Sequence, residues 1–288
     1  QRVAMQIAAP DFGLLFVFAF ASLAVYGVAL GAWSSNNRLA LLGGMRAASQ
    51  LISYEVALGL SLVGSMAAFG TVRLEQMVDA QARWLLGAGD FGIASWGFLL
   101  QPLGLLLFLT AAVAESRRAP FDLPECENEI VGYYLEYSGL RFGTFMLTEF
   151  VEVVVLSGVT AAIFFGGHHL PFGEAWLAGA IGPFGLACLQ GAAFWTKVLL
   201  LCWLQLSIRW SFPRFRYDQL QRLGWRLLMP AALLNTFGTA ALVLWDPSRR
   251  ALAVFGLLQR SYPACGFPRH APRPARRPEA RDELPHPE

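Results

Sequence analysis

The chemistry of this chain concentrates between Glu115 and Arg141. That stretch, ESRRAPFDLPECENEIVGYYLEYSGLR, holds five Glu, one Asp and three Arg. It lies between two long apolar runs, where an ionisable side chain costs roughly 3 kcal/mol or more at hydrocarbon depth unless it is paired, wet or at the surface. So many acids between two such runs point to something charged that binds here or moves through. Pro120 and Pro124 bracket PFDLP and push the residues before them towards extended backbone, which rules out a regular helix across that segment. Beyond Pro124 the spacing predicts a helix with Glu125, Glu129 and Glu136 on one face, Tyr133 between them and Glu127 elsewhere. Clustered carboxylates repel, so some are expected to hold a proton near neutral pH, as a proton relay requires. A solvated acidic loop that docks a partner explains the same loop residues equally well. Further acids inside the apolar runs, Glu55, Glu149 and Glu152, favour the relay.

The elements that must position these residues are read from composition and hydropathy. Of 288 residues, 56% are hydrophobic and 15% charged, and the mean hydropathy is +0.47. Soluble domains carry about 25% charged residues, so the class is an all-α, polytopic transmembrane bundle. About six spans are expected: 12–33, 45–70, 96–113, 142–166, 186–208 and 227–245, each about long enough to cross a ~30 Å hydrocarbon core. Residues 1–245 form the membrane domain, which reads as truncated at its start. Residues 246–288, rich in Pro and Arg, read as a disordered tail.

Within these runs, Arg46, Gln50 and Glu55 recur at spacings of four and five, giving the second span a polar stripe. Pro102 predicts a kink in the third. Glu149 and Glu152, three apart, share a face of the fourth. Lys197, the only lysine, falls mid-span in the fifth, where pairing with a buried acid is expected. Residues 71–90 read as a polar loop with an amphipathic piece at 74–77, 170–183 as a loop, and 209–226 as a basic hinge.

Arginine placement supplies the topology. The loops at 34–46, 116–143 and 208–226 carry ten Arg and the alternate ones three, so the first set, with the acidic loop between spans three and four, is cytoplasmic by the positive-inside rule. The Arg-rich tail falls on the opposite side, against the rule. Four cysteines without a C-x-x-C pair, and the adjacent His168 and His169, do not read as a disulfide framework, a metal site or a haem site. Neither a redox centre nor a nucleic-acid partner is expected.

RAPFDLPE, followed by E-x-E and EYSG, resembles the quinone-site membrane subunit of respiratory complex I, the H-type subunit of bacterial NADH-quinone oxidoreductase, whose mitochondrial counterpart is NADH dehydrogenase subunit 1. Residues 11–59 and 197–226 are similar to that family's core, and the likeness covers roughly 11–245. The resemblance implies a multi-pass subunit of the bacterial inner (plasma) membrane, in contact with lipid, that forms one wall of a quinone chamber. Partners would be the peripheral-arm quinone-module subunits and the antiporter-like membrane subunits. Quinone would be a substrate, and FMN and iron–sulfur clusters would belong to partner subunits, with none on this chain. It further implies a proton path through Glu55, Glu115, Glu149 and the Glu125, Glu127 and Glu129 group, and a quinone chamber near Arg46, Arg118, Phe121 and Asp122. Glu136, Glu152, Lys197, Arg216 and Asp218 would be supporting residues. Departures are a missing first span, amphipathic helix and second span, Ser116-Arg117 where Thr-Asn is usual, and Cys126 where a small residue is common. The alternatives are the related membrane subunit of a membrane-bound hydrogenase and an independent proton-coupled carrier. No internal repeat supports the carrier.

Overall fold

The fold is taken from a computed structural model, which describes residues 10–82, 84–86, 93–122, 132–170, 174–246 and scattered positions between 252 and 259. The helices are α1 (Gly13–Ser22), α2 (Ala24–Ser34), α3 (Arg38–Phe69), α4 (Leu74–Gln81), α5 (Gly97–Leu100), α6 (Pro102–Glu115), α7 (Leu140–Phe164), α8 (Glu174–Ser211), α9 (Tyr217–Leu223) and α10 (Met229–Trp245). A five-residue π-turn, Gly224–Leu228, joins the last two. A small antiparallel ladder, β1 (Trp84–Leu86) with β2 (Ile93–Ala94), follows α4.

Five stretches are long and apolar enough to cross a membrane: Gly13–Ser34, Arg38–Phe69, Leu140–Phe164, Phe184–Ser211 and Tyr217–Trp245. The third expected span is the exception. Its helix breaks at Gln101 (φ −137°), and Pro102 starts α6 instead of kinking it, since the missing N–H is harmless in the first turn. The resulting 14 residues of α6 rise only about 21 Å, short of a full crossing.

α3 is the axis of the bundle and packs against α2, α6 and α10. Asn37 caps its start by accepting from the Leu39 N–H at 2.9 Å, and Gly70 closes its end in the left-handed region at φ 68°. Small residues line its buried faces, among them Gly43, Ala47, Ala57, Ser61, Gly64 and Ser65, and let backbones approach where lipid offers no hydrophobic drive between helices. At Gly44 an added Cβ would sit 2.1 Å from the Ala32 Cβ of α2. Large apolar side chains such as Phe20, Trp33, Leu147, Trp203, Phe237 and Leu244 point outward, as a lipid-facing surface requires.

Polar residues tie the spans inside. Gln101 donates to the Thr239 hydroxyl at 2.6 Å and accepts from Asn235 at 3.2 Å. Gln205 donates to Ser157 at 2.9 Å.

Other boundaries differ from the sequence reading. α8 begins at Glu174, inside the expected 170–183 loop, and carries a break at Gly182 (φ 77°). The basic hinge shrinks to residues 212–216, because α8 runs to Ser211 and helix resumes at Tyr217. Residues 133–136, expected to continue a helix, form a turn. Tyr133 and Tyr134 bury their rings there against Phe145, and that packing outweighs the helical spacing of the glutamates.

Candidate functional site

One end of the bundle gathers the loops after α2, α6 and α8. The loop after α6 is the centre of this end, because its backbone is pinned from two sides. Gln50, fully buried on α3, donates to the carbonyls of Ala114 (2.7 Å) and Phe121 (3.0 Å). From the other side the α8–α9 linker straps the loop. The Phe215 N–H donates to the Pro120 carbonyl at 3.1 Å, the Phe121 and Phe215 rings stack at 5.3 Å, and Arg214 pairs with Asp122 at 2.9 Å. Phe121 is thus held between Phe215 and Tyr54, whose ring lies 6.2 Å away.

The acids of α6 and α7 meet beneath this loop. Glu149 and Glu152, on one face of α7 as their spacing requires, reach successive arginines. Arg118 lies 3.8 Å from Glu149 and Arg117 3.5 Å from Glu152. Arg118 also sits over the Phe150 ring at 4.2 Å, and Arg117 donates to the Tyr133 hydroxyl at 2.6 Å. Burial opposes the Arg117 charge, but Tyr133, Glu152 and Glu149 around it prevail and raise its pKa above the usual arginine value. Glu115, 5% exposed at the end of α6, lies within electrostatic range of Glu152, Glu55 and Arg117. Among the described residues, Glu115 Oε2 and Glu149 Oε1 are buried without a hydrogen-bond partner.

The other predicted site residues fall around this centre. Glu55 is half-buried and meets the Ser22 hydroxyl at the α1–α2 junction. Arg46 lies over the Tyr217 ring at 5.6 Å, in a polar seam where Tyr217 and Ser49 hydroxyls meet at 2.7 Å and Gln221 and Trp225 contact Ser53. Glu136 accepts from Asn37 at 2.6 Å, which links the turn after the acidic segment to the start of α3. Arg216 and Asp218 form an exposed pair at 3.7 Å. Glu125, Glu127, Glu129 and Cys126 lie outside the described residues.

Lys197 is held by backbone carbonyls. Its ammonium donates to the carbonyls of Phe165 (2.8 Å), Gly167 (2.9 Å) and His169 (2.6 Å), just past the C-terminal end of α7. The carbonyls left open where α7 ends are natural acceptors for a cation. Arg117 was the residue the sequence undervalued. It stood out only as a departure from the usual Asn, yet it is 4% exposed and centrally placed. Its left-handed backbone, φ 53°, is a conformation Asn adopts readily, and that is the one signal its position could have offered.

A family described as NADH dehydrogenase matches residues 2–240, a range that includes the pinned loop, the short α6 and the paired acids of α7. The chain belongs to the NADH dehydrogenase family. Its curated relatives include an H-type subunit of NADH-quinone oxidoreductase from Cytophaga hutchinsonii, 38% identical over 85% of this chain and 68% of the relative. Its namesake from Geobacter metallireducens is 42% identical over 85% of this chain and 67% of that protein. NADH-quinone oxidoreductase subunit 8 of Rhodothermus marinus is 42% identical over 80% and 67%. The chain thus spans about two thirds of the length of these relatives, and its apolar helices make it, like them, a multi-pass membrane protein.

Proposed function

We propose that this chain is the quinone-site membrane subunit of a proton-translocating NADH:quinone oxidoreductase, coupling quinone reduction to proton transfer through its buried carboxylates. The observation that carries the reading is the meeting of Glu115, Glu149 and Glu152 with Arg117 and Arg118 directly under a loop pinned by Gln50 and Arg214. The names of the relatives carry quinone, which favours this reading over the hydrogenase subunit.

Quinone reduction changes charge beside the loop. A unit charge about 4 Å from a carboxylate interacts by roughly 4 kcal/mol at an effective dielectric near 20, which is about three pKa units. A charge at Phe121 or Asp122 is therefore felt by Arg118, and through it by Glu149. Carboxyl oxygens with no donor among the described residues, as on Glu115 and Glu149, can take a proton without breaking a hydrogen bond there. Glu55, in range of Glu115, continues the path towards α1 and α2. Arg46 and Asp122 line the approach of the quinone, and Lys197 anchors the far end of α7. FMN and iron–sulfur clusters belong to the peripheral-arm partners, and the antiporter-like subunits receive the coupling signal in the cell's inner membrane.

The test is purification of the full-length subunit with its complex in mild detergent. Co-purifying iron–sulfur subunits and inhibitor-sensitive NADH:quinone activity are expected, and co-purification with a nickel hydrogenase would overturn the assignment. In the intact complex, Glu115→Gln should lower proton-coupled activity at least tenfold. Full pumping in that variant removes Glu115 from the path.

A further inference from the structure

We propose that Asp79, His168 and His169 form a binding site for a divalent transition-metal ion of the zinc class, at the end of the bundle opposite the acids. Each of the three offers one ligand atom, and these atoms all lie within 4.8 Å of one another. The two imidazoles lie side by side, with ring centroids 4.2 Å apart. Nε2 of His169 is 3.8 Å from Asp79 Oδ1. Zinc bonds of about 2.0–2.2 Å hold tetrahedral ligands roughly 3.3–3.6 Å apart, so side-chain rotations closing about 1 Å complete the set. Asp79 is well able to rotate, since its side chain is 63% exposed.

Adjacent histidines alone specify little. What makes a site of them is the rigidity with which their loop is set against α4. Gln81, buried at the end of α4, accepts from the Gly97 and Gly166 N–H groups, both at 3.0 Å, and donates to the Ala162 carbonyl at 2.9 Å. Gly167, at φ 53°, lies so close to α4 that a Cβ would fall 2.8 Å from Val78. The Lys197 ammonium fixes the loop from beneath through the carbonyls of residues 165, 167 and 169. The loop is therefore fixed before any ion arrives, and little ordering cost remains for binding. Two imidazoles and one carboxylate, completed by a water as fourth ligand, form a donor set suited to zinc. Asp79 supplies the negative charge that offsets part of the ion's own. The third ligand comes from α4, some ninety positions before the histidines, which is why sequence spacing gave no hint of it.

Zinc binding by the full chain in detergent, titrated against a chromophoric competitor, tests the site. One equivalent bound with micromolar or tighter affinity is expected, weakened at least tenfold in H168A/H169A and in D79N, and unchanged in H270A/H286A. Equal binding by H168A/H169A, or loss in H270A/H286A instead, overturns the proposal. X-ray absorption on the zinc-loaded wild-type chain decides the matter independently of how the variants fold. A first shell of imidazole nitrogen and oxygen near 2.0–2.1 Å supports the site, whereas sulfur near 2.3 Å assigns the metal to cysteines and refutes it.

Discussion

Replacing Arg117 by Asn isolates the charge at the centre of the acid cluster. Asn tolerates the left-handed backbone at this position, φ 53°, so the substitution removes a guanidinium without straining the chain. Two contacts disappear. The first is the ion pair with Glu152 at 3.5 Å between side chains 4% and 19% exposed; its Coulomb attraction is roughly 5 kcal/mol at an effective dielectric near 20. The second is the 2.6 Å hydrogen bond to Tyr133, about 1.5–3 kcal/mol for a charged donor. Desolvation of both ions offsets much of this. Truncating one partner of a buried pair still costs about 3–5 kcal/mol, because the other charge is left alone. The decisive assay is a double-mutant cycle with Glu152→Gln, read from the fraction folded against denaturing detergent. The double variant should recover a large share of the Arg117→Asn loss, with a coupling of about 2–3 kcal/mol. Additivity within about 0.5 kcal/mol shows instead that the two side chains do not act as a pair, and the reasoning fails.

Gln81→Ala should be among the more damaging changes at the far end of the bundle. It strips the buried acceptor from two N–H groups, Gly97 and Gly166, at about 1–3 kcal/mol each, and a clear fall in thermal stability of the purified chain checks this. Gly167→Ala puts a methyl 2.8 Å from Val78 at a positive φ. A loss of roughly 1–3 kcal/mol follows, partly restored by Val78→Ala in the same melting assay if the clash is the cause.

Much of this architecture was legible because apolar runs of membrane length have few alternatives. All six expected spans contain helix, and the arginine-bearing loops after the first, third and fifth do gather at one end. Glu149 and Glu152 were placed together by helical spacing alone. What escaped the sequence was determined by partners distant along the chain. Gln81 and Gln101 are uncharged and give no patterning signal, and Gln50 shows only as part of a polar stripe, yet each bridges elements that only the fold brings together. Lys197 meets three carbonyls at the end of α7, contacts that charge logic alone does not suggest. The turn at 133–136 overrides its helical spacing because aromatic burial against α7 outweighs local propensity.

The wide turn at Gly224–Leu228 has a bearing on how the last span could have arisen. Gln221 and Thr239 are 18 residues apart, which in an uninterrupted α-helix is five whole turns, so both would look in one direction. The π-turn slows the winding and sets the later half back by about a quarter of a revolution. Gln221 can then meet Ser53 on α3 while Thr239 turns to Gln101. A chain one residue shorter at this point could satisfy one of those meetings but not both. The two polar joints of the last span are phased by a single surplus residue, as two gears are timed by one tooth.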